Sequence, residues 1–244
     1  MNILFDTHTH TIASAHAYST VAENARYAGE IGMEAIAITD HCIGMEDAPH
    51  IWHFQNLKNI PRDLFGVKIL YGVELNILNS NGDIDMEDWL MEKLDVVNAS
   101  IHTPCYDDLG VSDCTKAYER IVTNPLIDVI CHSGNPKYKY DYARIIDLAK
   151  KYHKLIEINN HSFFVRKSSI ENCREIARLC KEKEVGIVVS SDAHFYTDIG
   201  NYDMAFGMLK EISFPEKLIM NRNLKSYQDY VRPRKELFSW KLGE

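Results

Sequence analysis

Nine side chains able to bind a metal lie at or just beyond the ends of short apolar runs: His8, His10, His16, His41, Glu74, His102, His132, Asp192 and His194. Seven are histidines, from a total of eleven. In extended chain, residues i and i+2 face the same way, so His8 and His10 can share one ion. Asp192 and His194 repeat that spacing with one carboxylate and one imidazole. Glu74 is the kind of carboxylate that bridges two ions. Asp40, beside His41, suits an acceptor that orients a ligand imidazole or passes a proton. Imidazole and carboxylate without thiolate form the usual ligand set for zinc, manganese or iron in hydrolytic sites. Each of these side chains alone has an ordinary explanation as a solvated loop residue. Their common phase does not, and it points to a multinuclear site and metal-assisted hydrolysis.

Such a site needs elements that bring distant stretches of sequence to one face. The strand candidates are Ile3–Phe5, Ala35–Thr39, Ile69–Asn76, Val96–Ile101, Val129–Cys131, Leu155–Ile158 and Gly186–Ser190. Most are rich in Ile and Val and apolar throughout, as parallel strands covered on both faces are. Helical patterns lie between them near Thr20–Ile31, Glu87–Lys93, Thr115–Thr123, Tyr142–Tyr152 and Ser169–Lys183, with another near Met204–Lys210. This alternation predicts one α/β domain over residues 1–244, a TIM-like barrel of about seven strands. All C-terminal strand ends then meet on one face. An open doubly wound sheet is the alternative; without G-x-G-x-x-G after the first strand, its dinucleotide-binding version is disfavoured.

A net charge of −8 makes the chain a poor default binder of nucleic-acid backbones. No apolar run approaches the roughly 20 residues that span a bilayer. The opening M-N-I-L-F-D lacks the basic-then-apolar pattern of a secretory signal, so the expected location is cytoplasmic, with no membrane partner. The six cysteines make no C-x-x-C pair and read as buried thiols in a reducing compartment. Cys42 and Cys131 adjoin His41 and His132, but neighbouring strand residues face opposite ways, so packing is their expected role. Self-association stays open.

D-T-H-T-H at 6–10, His16, I-T-D-H at 38–41, G-V-E at 72–74, I-H-T-P at 101–104, C-H-S-G-N-P-K-Y at 131–138 and S-S-D-A-H at 190–194 form an ordered series. The series resembles the motifs of the PHP (polymerase and histidinol phosphatase) family, and is most similar to its YcdX-type phosphatases. A-Y-S-T at 17–20, M-E-D-A-P-H at 45–50, E-I-N-N at 157–160 and N-C-R-E at 172–175 extend the likeness over the whole chain. The resemblance implies a distorted (β/α)7 barrel with three divalent metal ions, zinc foremost and manganese or iron as alternatives. It implies one ion held by His8, His10, Glu74 and Asp192, and a second by Glu74 with His102 and His132. His16, His41 and His194 take the third. Ser133 and Ala193 depart from residues common in relatives, Pro and Ser, and bear on substrate preference.

Three divalent ions less the Glu74 and Asp192 charges leave a formal surplus of about +4, enough to hold a phosphate on an acidic protein. The expected reaction is phosphatase chemistry: hydrolysis of a small phosphorylated metabolite by a metal-activated hydroxide, with no protein nucleophile. Histidinol phosphatase and a 3'-5' exonuclease-like phosphodiesterase are the family's other activities. Lys137 and Arg166 are candidate phosphate contacts. His50 and His53, on the long segment after the second strand, are candidates for touching substrate.

Overall fold

A computed structural model describes residues 1–107, 110–166 and 168–236. The expected span 1–244 therefore includes positions, 237–244 among them, outside the described residues. The strands are β1 (Phe5–Thr9), β2 (Ala35–Ile38), β3 (Asp63–Leu64), β4 (Val67–Asn76), β5 (Val96–Ser100), β6 (Val129–Ile130), β7 (Leu155–Asn159) and β8 (Ile187–Ser190). The helices are α1 (Val21–Glu30), α2 (Trp52–Asn56), α3 (Asp88–Met91), α4 (Val111–Thr123), α5 (Tyr142–Lys151), α6 (Ser162–Val165), α7 (Ser169–Lys183), α8 (Asp203–Glu211) and α9 (Leu224–Lys235). Seven strands pair in parallel in the order β1-β2-β4-β5-β6-β7-β8, and β3 adds an antiparallel hairpin to β4. Phe65 and Gly66, both at positive φ, make the two-residue turn of that hairpin.

The sheet closes nearly into a barrel. Thr9 bridges to Ala193 in parallel, and His10 N–H donates to the Ala193 carbonyl at 2.9 Å. At the opposite end Asn221 stitches the gap: its Nδ2 donates to the carbonyls of Phe5 (2.9 Å) and Val189 (2.6 Å), and its Oδ1 accepts from Val189 N–H. Below, α9 stops the barrel, with the Tyr227 ring edge-on to Phe5 at 5.1 Å between centroids.

The alternation of side chains along each strand sets up the interior. Phe5, Ala35, Leu70, Val96, Val129, Leu155 and Val188 form an apolar layer at the closed end. Two and four residues further on, the same inward faces carry Glu74, Asn98, Ser100, Glu157, Asn159 and Ser190, all buried. The barrel is thus apolar at its N-terminal end and polar at its C-terminal end. Outside, helices cover the sheet; α1 begins on a capping box in which Thr20 and Glu23 bond each other's backbone N–H.

β1 runs later than the expected Ile3–Phe5, so His8 lies inside the strand rather than beyond it. A register shift against β2 between Asp6 and Thr9 accompanies that change. The short helices α2 and α6, and α9, were not expected from the sequence pattern.

Candidate metal centre

Glu74 is the hub. Its strand passes β2 and β5 so closely at Gly72 that an added Cβ would lie 2.7 Å from the Val96 carbonyl and 2.7 Å from a Thr39 methyl, so only glycine fits before Val73-Glu74. The Glu74 carboxylate then projects inward. Its Oε1 lies 2.8 Å from His132 Nε2 and 3.2 Å from His102 Nε2, and accepts from Ser100 Oγ at 2.6 Å. Its Oε2 lies 2.9 Å from His41 Nδ1, 3.3 Å from His8 Nε2 and 3.5 Å from His10 Nε2. Asp192 Oδ1 stands 3.1 Å from His10 Nε2 and 3.5 Å from His8 Nε2. His16 and His41 oppose their Nε2 atoms at 3.2 Å, and the His194 ring stacks on His16 at 4.8 Å. All nine expected donors therefore adjoin one another. His41 faces both Glu74 and His16, so it sits between two of the expected ion positions.

The imidazoles are held from behind. His8 Nδ1–H donates to Glu157 Oε1 at 2.7 Å, and His102 Nδ1–H to Asn76 Oδ1 at 2.6 Å. His16 Nδ1–H donates to Asp47, and His194 Nδ1–H to the Asp192 carbonyl. Each bond fixes a tautomer whose Nε2 is left as a lone-pair donor, the arrangement that metal-binding histidines use. Two of the backbones are strained: Asp192 has φ 53° and His132 φ 28°, in the region that favours glycine. Strain of this kind collects at functional sites, where the surroundings enforce it.

Burial would raise the pKa of Glu74, but His8, His102 and His41 hold it well below the carboxylate range; Asp192 is likewise held down against burial, by His8, His10 and His194. Burial, with His41 and His194, pushes His10 down to about 3, and burial with His132 and His41 pushes His102 to about 4. Both are therefore neutral imidazoles at physiological pH. His8 and His41 go the other way: burial lowers both, but Asp192, Glu74 and Glu157 raise His8, and Glu74 and Asp192 raise His41. Buried carboxylates among closely packed imidazoles suit a cation. Glu74 Oε2 adds a test: among the described residues it is buried without a hydrogen bond of good geometry, although three imidazole nitrogens lie 2.9–3.5 Å from it, a gathering of donor atoms that a cation would satisfy. The donor set fits divalent metals.

A model of the PHP domain matches residues 6–163. The chain belongs to the PHP domain family. A probable phosphatase of Acetivibrio thermocellus is 44% identical over 236 residues, covering 97% of this chain and 98% of that one. One from Caldanaerobacter subterraneus subsp. tengcongensis is 44% identical over 238 residues, covering 97% and 94%. This PHP-domain protein is accordingly an enzyme, a phosphoric ester hydrolase. In fold it is similar to a histidinol phosphate phosphatase from Lactococcus lactis, solved with zinc, L-histidinol and phosphate. That likeness has a TM-score of 0.66 at 18% identity and covers 88% of this chain and 95% of the other.

The remaining expected site residues of the PHP domain are dispersed. Arg166 lines the cavity above the donors, a space of about 380 Å³. Its Nη1 donates to Ser162 Oγ at 2.7 Å. Lys137 is not among the lining residues; it is exposed, with its ammonium 5.1 Å from the Tyr138 ring centroid. Tyr138 and Tyr140 are buried, so alternation turns Lys137 and Lys139 outward. His50 is exposed and accepts from Trp52 N–H. His53 lies against Asp40, with Nε2 3.2 Å from Oδ2. Asp40 is fully engaged: it accepts from Thr11 N–H and Oγ1 and from Ser14 Oγ, which stands 3.5 Å from His10 Nδ1. That places Asp40 behind His10, as an anchor for two loops.

Sequence reasoning missed the roles of Glu157 and Asp47; His161, on the segment after β7, lines the cavity beside Arg166. Glu157 is fully buried in β7 and bonds His8, the His132 N–H, Asn159 and Ser190. A carboxylate in the otherwise apolar L-I-E-I, in phase with Leu155 and Asn159, was the signal. Cys131, expected only to pack, joins His8 and Glu157 in a cluster of donor atoms. It keeps the inward face of Val129, whereas the positive φ of His132 turns that residue inward too.

Proposed function

We propose that this PHP-domain phosphatase releases phosphate from small phosphate monoesters with three divalent cations, zinc foremost, and manganese or iron as substitutes. The convergence of seven imidazoles and Asp192 around the buried Glu74 carboxylate carries the reading. His8, His10, Glu74 and Asp192 would hold one cation, Glu74 with His102 and His132 a second, and His16, His41 and His194 the third. Bound there, such cations supply positive charge for a phosphoryl dianion and a hydroxide nucleophile near neutral pH. The chain's own residues do the positioning. Glu157 keeps His8 in the tautomer that presents Nε2, and Asn76 does the same for His102. Asp40, through Ser14, steadies His10. Arg166, braced by Ser162, is the cationic side chain at the cavity and would pair with phosphate oxygens.

A cavity of about 380 Å³ is of small-ligand size, which favours a metabolite over a polynucleotide. The test is phosphate release from an aryl phosphate. Activity should vanish on chelation and return with Zn²⁺ or Mn²⁺. Turnover indifferent to chelators, or fewer than two metals bound per folded chain, would overturn the proposal. A labelled single-stranded oligonucleotide should stay intact at high enzyme concentration.

A further inference from the structure

The floor of the cavity is polar throughout, whereas apolar side chains enter its lining further out. Besides the expected metal donors, the cavity is lined by Met45, His161, Val165 and Arg166. His161 stacks on His194 at 5.5 Å between centroids. No hydroxyl or amide side chain is among the described lining residues. Tyr18, Phe164 and Phe195, exposed at 71%, 56% and 41%, belong to the same loops as the lining residues. Tyr18 N–H donates to the His194 carbonyl at 2.8 Å, Phe195 follows His194, and Phe164 precedes the cavity-lining Val165 in α6. The helix itself is tied down, with Ser162 N–H donating to Asn159 Oδ1 at 2.8 Å.

Loops after β1, β2, β7 and β8 thus each carry a large apolar side chain at, or next along the backbone to, the residues that line the cavity. Single exposed apolar residues are ordinary on a protein surface; several gathered around a polar floor mark a binding site. The floor and Arg166 would take the phosphoryl end of an ester, so the alcohol portion must point outward to the rim. A polyol entering there would lose water and find, among the described lining residues beyond the expected metal donors, only His161 and the phosphate-engaged Arg166 in exchange. Sites that select a hydroxylated substrate supply hydrogen-bonding partners for it, whereas this mouth supplies apolar surface.

We infer that the enzyme prefers phosphate monoesters of apolar alcohols, alkyl or aromatic, over those of polyols; the inference rests on the phosphatase reading above. Met45, Val165, Phe164, Phe195 and Tyr18 form the contact surface for the alcohol. The experiment compares ethyl, butyl, hexyl and glycerol phosphates, all leaving as primary alkoxides, with the metal-loaded full chain. In a hydrophobic pocket one methylene is worth roughly 10–200-fold in kcat/KM. At least about tenfold is expected from ethyl to hexyl, mostly in KM, with glycerol phosphate no better than ethyl phosphate. Val165→Asp and Phe195→Asp should each draw the hexyl-to-ethyl ratio toward one. The ratio is independent of how much of a variant folds. A flat series with measurable turnover, a preference for glycerol phosphate, or a ratio unchanged in both variants would overturn this inference alone. Absence of turnover on every ester would overturn the phosphatase reading with it.

Discussion

Replacing Glu157 by glutamine should cost the first cation site without unfolding the barrel. The carboxylate accepts four bonds: Oε1 from His8 Nδ1 (2.7 Å) and Ser190 Oγ (2.5 Å), Oε2 from His132 N–H (2.6 Å) and Asn159 Nδ2 (3.2 Å). A glutamine has one oxygen and one NH2 to place in the same space. The His132 N–H can only donate, so the oxygen must stay on that side. The NH2 then faces Ser190, whose hydroxyl can turn to accept, and His8, which can accept only as the other tautomer. That tautomer carries its proton on Nε2, the atom that points at Glu74 and Asp192. Loss of one charge-assisted bond is worth about 1.5–3 kcal/mol, and partners behind metal ligands typically matter by about 10–100-fold in affinity. Titration of the metal-free protein with zinc against a chromophoric chelator should therefore show one site weakened by about 10–100-fold. Thermal unfolding of the metal-free variant should stay cooperative, with its midpoint lowered by about 3–12 °C, as the loss of that one bond predicts for a chain of this size. Three sites of undiminished affinity in Glu157→Gln would refute the reasoning.

Glu74→Ala should remove two cations from the bound complement at once and abolish turnover; metal analysis showing the loss of only one would refute the bridging role. Arg166→Ala should lower kcat/KM by about 10–100-fold, mainly through KM, because a charge-assisted bond to phosphate is lost; an unchanged KM would count against the contact. Burial, reinforced by Lys235, pushes the Lys154 amine down to about 7 from 10.5. Between those values the unfolded chain binds the extra proton, so stability rises with pH across that window. Lys154→Met should remove a rise on the order of 2 kcal/mol between about pH 7 and 9, read from urea unfolding at both. Equal pH slopes in the two proteins would sink this prediction.

The barrel was legible because its strands are short, Ile- and Val-rich and regularly interrupted by helical patterns. The donors were legible for the same reason: they recur at one phase of that pattern, and the structure brings all nine together. What escaped were features that a local pattern does not encode. Glu157 looked like part of an apolar strand, and only its parity with Leu155 and Asn159 tells that it points inward. The later start of β1 depends on pairing with β2 and Ala193, both remote in sequence. Lys137 stays outside the cavity lining because the K-Y-K-Y alternation between buried tyrosines turns it outward. His53 reaches Asp40 through α2, a helix of five residues too short to announce itself.

The seam between β1 and β8 has a consequence for biosynthesis. β1 emerges before every other strand of the barrel, yet its open edge is sealed only by Ala193 and then by Asn221. At about 5–20 residues per second, the interval from His8 to His194 takes roughly 10–40 s. Throughout that time β1 is a nascent strand with an unpaired edge, and His8 and His10 lack Asp192. Chaperone occupancy should therefore peak before residue 193 is exposed, and truncated translation products ending short of β8 should be both metal-poor and prone to strand-edge aggregation.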